Sequence, residues 1–248
     1  MKIKMPPPIS RIINLLKIKL KEQKFQQRLP FLFFNNHSDS LLIIFSAFSG
    51  NKRRYNYVKG LRNLNIDKLY ILDPFGCKGS YNMYENGSDY PERMTRELID
   101  SVLSNHQYKA VYTAGSSKGG TCAIYFGLII KADAIFAGAS QFNLGSYVHR
   151  PDHEDIFLGM MGKDAGEEEA LLLNKVMPTI MEKEKGTKSV LHILYSKNEL
   201  TYERQIVDLL AQARKCDISV VEIEESFQDH DDVGKYFLPY VKRFFHID

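Results

Sequence analysis

The chain has 248 residues, 44% hydrophobic and 25% charged, with a formal net charge of +3. That is the make-up of a globular protein long enough to bury a sizeable core, and the small charge excess excludes the dense basic face of a nucleic-acid binder. The three cysteines, Cys77, Cys122 and Cys216, are widely spaced and form no CxxC pair, so they signal neither a zinc site nor a disulfide framework.

At the N-terminus, Ile9, Ile12, Ile13, Leu16 and Leu20 recur on one face of a helix over residues 9–25, with Arg11, Lys17, Lys21 and Lys24 on the rest. Two readings stand: a helix packed on the domain or a partner chain, or one lying on a membrane surface. No apolar run reaches the ~18 residues of a membrane span. Lysines break the leading stretch and no small-residue cleavage site follows, so a cytoplasmic protein is expected, with peripheral contact at the inner membrane open through residues 9–25. The chain divides into this basic amphipathic element (1–29) and one domain (30–248).

Apolar runs then alternate with helical stretches. The runs are Phe31-Leu32-Phe33-Phe34, Leu41-Leu42-Ile43-Ile44-Phe45-Ser46, Lys68-Leu69-Tyr70-Ile71-Leu72, residues 108–113, Ala134-Ile135-Phe136-Ala137, residues 189–195 and Ile218-Ser219-Val220-Val221-Glu222-Ile223. Helices are expected over 55–64, 91–104, 119–131, 201–215 and 233–245. Continuous apolar runs suit strands buried on both faces, and their alternation with helices implies an α/β fold whose mostly parallel sheet carries helices on both faces. Residues 141–188 separate two strands by more than a crossover needs, which reads as a lid-like or substrate-capping insertion.

Between the fourth run and its helix stands Gly115-Ser116-Ser117-Lys118-Gly119-Gly120. It fits G-x-S-x-G in the strand–turn–helix setting of a nucleophile elbow, with Ser117 at the centre. Small neighbours tolerate the strained turn, and the helix N-terminus favours an oxyanion at the serine. A phosphate loop is the poorer reading, because Lys118 precedes the final glycines instead of following them. A glycine–serine turn without chemistry is the plain alternative.

A serine nucleophile needs a base, and the base an orienting acid. Of seven histidines, only His230 lies between the last strand and the closing helix, where the base belongs in the chain order Ser, acid, His. His192 falls inside a strand and reads as core. Glu199, after the sixth run, is the acid that would fix the imidazole tautomer; its alternative role is a helix N-terminal carboxylate. Asp229, Asp231 and Asp232 are too local to His230 to be preferred. The oxyanion hole is expected from the Lys118 backbone N–H and a second N–H at Ala47 or Phe48. Asp73 and Tyr81, after the third run, are the candidate substrate-binding residues, with turn capping before Pro74 as the favoured reading of Asp73.

These residues place the chain, from about Phe31 onward, in resemblance to the α/β-hydrolase superfamily. Within it, Phe45-Ser46-Ala47-Phe48, Leu72-Asp73-Pro74-Phe75-Gly76, Gly79-Ser80-Tyr81, Glu85-Asn86-Gly87, Ala114-Gly115-Ser116-Ser117-Lys118-Gly119-Gly120 and Ala137-Gly138-Ala139-Ser140-Gln141-Phe142 resemble the XcbB/CpsF-type capsular polysaccharide biosynthesis proteins of bacteria. The resemblance implies acyl transfer or ester cleavage in surface-glycan production, on a small-molecule or glycan ester. Such chemistry calls for no metal and no organic cofactor. The alternative is a non-catalytic hydrolase-fold scaffold in a glycan assembly or export complex.

Overall fold

The computed structural model describes residues 18–48 and 53–247. Among them an eight-stranded sheet runs in the order β1-β2-β4-β3-β5-β6-β7-β8. The strands are β1 (Gln23–Phe25), β2 (Leu29–Phe34), β3 (Ser40–Phe45), β4 (Asp67–Ile71), β5 (Ala110–Ser116), β6 (Ala134–Gly138), β7 (Val190–Ser196) and β8 (Ser219–Glu225). From β4 to β8 every pairing is parallel; β1 and β2 add an antiparallel edge.

The two-residue period of a strand explains why the apolar runs have no polar face. Leu41, Ile43 and Phe45 of β3 enter one core, while Leu42 and Ile44 enter a second on the opposite face. The first face is covered by α1 (Tyr90–Ser104), α2 (Lys118–Ile129) and the helices of residues 141–188: α3 (Leu144–Val148), α4 (Glu154–Met161), α5 (Glu167–Asn174) and α6 (Val176–Lys183). It also takes α7 (Val207–Lys215), which continues a π-helical turn at Tyr202–Ile206. The second face is covered by α8 (Val233–Phe244), through Val233, Phe237 and Val241, and by residues 55–66. The insertion is built into the first core: Phe157, Met160 and Leu173 are fully buried within it.

Two expectations change. Of the N-terminal helix, residues 9–17 lie outside the described residues; 18–21 are helical, but Gln23–Phe25 form β1. Gln26 and Gln27 both take left-handed backbone (φ 46° and 60°), and this turn folds β1 back onto β2. The sheet thus takes in residues expected in the helical element. Residues 55–64 form a series of turns and no helix. Tyr57 sits at φ 64°, a hand that no right-handed helix accepts, and Gly60 lies so close to Leu238 that a Cβ would overlap it. Among the described residues no helix is long and apolar enough to cross a membrane.

Candidate active site

The carboxyl ends of the parallel strands gather the chemistry, as open α/β sheets do. β5 ends at Ser116, and α2 begins at Lys118. Ser117 between them has φ 53° and ψ −129°, a strained backbone for a residue with a Cβ. Its N–H donates to the Gly138 carbonyl at 2.7 Å. Two glycines make the turn possible. A Cβ on Gly115 would fall on the Gly119 backbone, and one on Gly119 would lie 2.5 Å from the Phe45 carbonyl oxygen at the end of β3. The Lys118 N–H, at the first turn of α2, has no acceptor among the described residues, so it and the helix dipole face whatever charge forms at Ser117.

His230 opens a short 3-10 turn between β8 and α8. Its Nε2 lies 2.7 Å from Ser117 Oγ and its Nδ1 2.6 Å from Glu199 Oε1. Glu199, in the loop after β7, is 5% exposed. A carboxylate only accepts, so Nδ1 carries the imidazole proton and Nε2 is left to accept from the serine hydroxyl. Glu199 Oε1 also accepts the Thr201 hydroxyl at 2.6 Å, whereas Oε2 is buried without a partner among the described residues. Three residues distant in sequence thus form one hydrogen-bonded row. Asp232, close to His230 in sequence, instead pairs with Lys235 at 2.6 Å. His192 is buried in β7 against Tyr240 (2.6 Å), and burial holds its imidazole below the ordinary range.

The two backbone candidates at β3 separate. The Ala47 N–H donates to Asn56 Oδ1 at 2.9 Å; the Phe48 N–H has no acceptor among the described residues. Asp73 is closed to a ligand. It is 2% exposed, and its carboxylate accepts the N–H groups of Phe75, Ser80 and Asn82 and the Lys118 ammonium at 2.8 Å. The Phe75 bond is the turn-capping role. Tyr81 is fully buried, its hydroxyl 3.3 Å from Gln141. Neither offers a surface to substrate: Asp73 ties residues 73–82 to Lys118 of α2, and Tyr81 is held against Gln141 after β6. Sequence spacing also missed that the Lys118 side chain turns inward, 1% exposed, to pair with Asp73. It missed Asn56, Tyr57 and Thr201 as well; no motif marks them. Beside Glu199 lies a cavity of about 640 Å³, lined by Asn143, Tyr147 and Arg150 from the insertion and by Leu200, Thr201 and Arg204.

A mostly parallel sheet, with a serine on a strand–helix elbow and a histidine and a carboxylate delivered by later strand ends, has the α/β-hydrolase fold. Comparisons of structure agree. The capsule O-acetyltransferase of Neisseria meningitidis serogroup A, in complex with caged gadolinium, is similar with a TM-score of 0.77 and 22% identity over 91% of this chain and 93% of that one. A histidine-to-alanine mutant of that enzyme in complex with CoA gives 0.75 and 20%, over 90% and 94%. The glycosylation-associated Gap123 complex of Streptococcus agalactiae gives 0.72 and 21%, over 89% of this chain and 44% of that one. The fluorophosphonate-binding serine hydrolase F of Staphylococcus aureus, substrate bound, gives 0.58 and 14%, over 88% and 90%. No protein-family model matches the chain, and no curated protein does.

Proposed function

We propose that this protein is a serine acyltransferase, with ester hydrolysis as its side reaction, and that it acts on a surface or capsular glycan. The observation that carries this reading is the row Ser117 Oγ, His230 Nε2, His230 Nδ1, Glu199 Oε1, with contacts of 2.7 and 2.6 Å. Ser117 Oγ attacks the acyl carbonyl carbon while His230 Nε2 takes its proton. Glu199 stabilises the imidazolium. The Lys118 and Phe48 N–H groups hold the oxyanion. Collapse expels the leaving group, which takes the proton from His230 and leaves acyl-Ser117. A sugar hydroxyl then attacks, gives its proton to His230, and restores the serine; water in its place gives hydrolysis. Likeness to a capsule O-acetyltransferase, one of whose structures holds CoA, supports an acyl thioester of CoA as donor and a glycan hydroxyl as acceptor.

The test is intact-protein mass after incubation with acetyl-CoA or p-nitrophenyl acetate. Wild type gains one acyl group, mapped to Ser117, and Ser117→Ala gains none; equal labelling of the two refutes the reading. The likeness to the Gap123 complex favours a second reading, a scaffold within a glycan-modifying assembly. A fluorophosphonate probe separates the two, since a pure scaffold has no activated serine to label. The basic segment 9–25 would be its docking element, and deletion of 1–25 without loss of liposome or partner binding removes that role.

A further inference from the structure

We propose that Asn56 and Tyr57 form a positioning clamp that sets the second oxyanion donor and the residue before the nucleophile; the inference rests on the serine chemistry proposed above. β3 ends at Phe45. Of the three N–H groups that follow, Ser46 donates to the Ile71 carbonyl at 3.2 Å and Ala47 to Asn56 Oδ1 at 2.9 Å. Phe48 therefore carries the first N–H past the strand with no acceptor among the described residues. Ser46 is tied by the sheet, but Ala47 is tied by a side chain. Among the described residues Asn56 alone takes the Ala47 N–H, so without it the Ser46–Ala47 peptide is freed to rotate and, through the Ala47 dihedrals, the aim of the Phe48 N–H is lost.

The next residue reaches the other flank. Tyr57 Oη lies 2.6 Å from Ser116 Oγ, adjacent to Ser117. Its φ of 64° is one that an aromatic residue rarely adopts. The ring packs against Phe237 of α8 with centroids 5.4 Å apart, and its carbonyl accepts the Leu61 N–H at 2.9 Å. Burial pushes the phenol up to about 12, so the hydroxyl stays protonated at neutral pH. Two consecutive side chains thus hold the loop after β3 and the end of β5. A strained residue retained at such a place points to a constraint that the surrounding structure enforces.

The test uses the full chain and p-nitrophenyl acetate. Asn56→Leu removes the acceptor at near-constant size, and Asn56→Asp keeps it. Asn56→Leu should lower kcat on the order of 10²-fold, as loss of an oxyanion donor does, with KM within about threefold of wild type. Hydrogen exchange at the Ala47 amide, read by NMR, should be at least about tenfold faster in Asn56→Leu and remain protected in Asn56→Asp. Tyr57→Phe, which keeps the ring, should lower kcat roughly tenfold, the worth of one hydrogen bond. The clamp is wrong if Asn56→Leu leaves kcat or Ala47 exchange unchanged, or if kcat, KM and melting temperature deteriorate together in both Asn56 variants. An unchanged kcat in Tyr57→Phe removes Tyr57 from it. A wild type no more reactive than Ser117→Ala sinks the serine chemistry instead, and Ala47 exchange then decides the clamp alone.

Discussion

Replacing Glu199 by glutamine exchanges one carboxylate oxygen for an NH2 group and reverses the proton order of the site. In the wild type, Oε1 accepts from both His230 Nδ1 and Thr201 Oγ1, each at 2.6 Å, and Oε2 is buried without a partner among the described residues. The introduced amide has two orientations. With its oxygen kept at the Oε1 position, the NH2 group lies at the Oε2 position, buried and unsatisfied, at a cost of about 1–3 kcal/mol. With the amide flipped, the NH2 donates to Thr201 Oγ1 and to a deprotonated His230 Nδ1. The flip uses both donors and is preferred. It moves the imidazole proton to Nε2, which faces Ser117 Oγ at 2.7 Å and then has no lone pair to accept the serine proton. Loss of the right tautomer costs about 10⁴-fold in kcat, or about 5 kcal/mol of barrier. The assay is nitrophenol release from p-nitrophenyl acetate, with the imidazole tautomer read from ¹⁵N shifts of His230. Activity of Glu199→Gln within about tenfold of wild type, with the proton still on Nδ1, would refute the reasoning.

Three further outcomes follow from the packing. Gly119→Ala sets a Cβ 2.5 Å from the Phe45 carbonyl oxygen, a backbone atom that cannot swing aside, and should cost about 1–3 kcal/mol in urea unfolding; a midpoint equal to wild type contradicts the close approach. Lys118→Met leaves the buried Asp73 carboxylate without its cation and should cost about 3–5 kcal/mol, a large part of a typical domain's stability; Lys118→Met unfolding like wild type argues against the pair. The third concerns acid. His192 titrates below its ordinary 6.5 because it is buried, so the unfolded state binds a proton first as pH falls. Stability should decline from about pH 6.5 downward and level off below the folded-state value. His192→Phe, set among Phe136 and Phe244, should remove part of that decline; an identical pH slope in the two proteins would show that His192 is not the group.

Much of the architecture was legible because burial leaves a local trace. β3, β4 and β6 are buried along nearly their whole length, so their segments read as unbroken apolar runs. The elbow was legible for a similar reason: the spacing of Gly115 and Gly119 is imposed by one turn, within a short stretch of chain. His230 and Glu199 were expected beside Ser117 from chain order, since each follows a particular strand and the sheet brings strand ends together, and the three do lie in one hydrogen-bonded row. β1 and the turns of 55–64 were not legible. Their amphipathic spacing suits a helix, and it was left-handed residues, Gln26, Gln27 and Tyr57, that set the other course; side chains of these types carry no mark of such a conformation.

The sequence by itself determined which segments are strands in the parallel body of the sheet, where the serine turn falls, and which histidine and carboxylate follow the right strands. Those facts are local, set by apolar period, steric room and chain order. Only the tertiary structure decided that Asp73 and Tyr81 are buried and unavailable, that Lys118 turns inward, and that Asn56 takes the Ala47 N–H. Each of these is a hydrogen bond or ion pair made across the fold. A polar side chain satisfies itself with whatever partner the packing brings near, and no spacing along the chain records which partner that is.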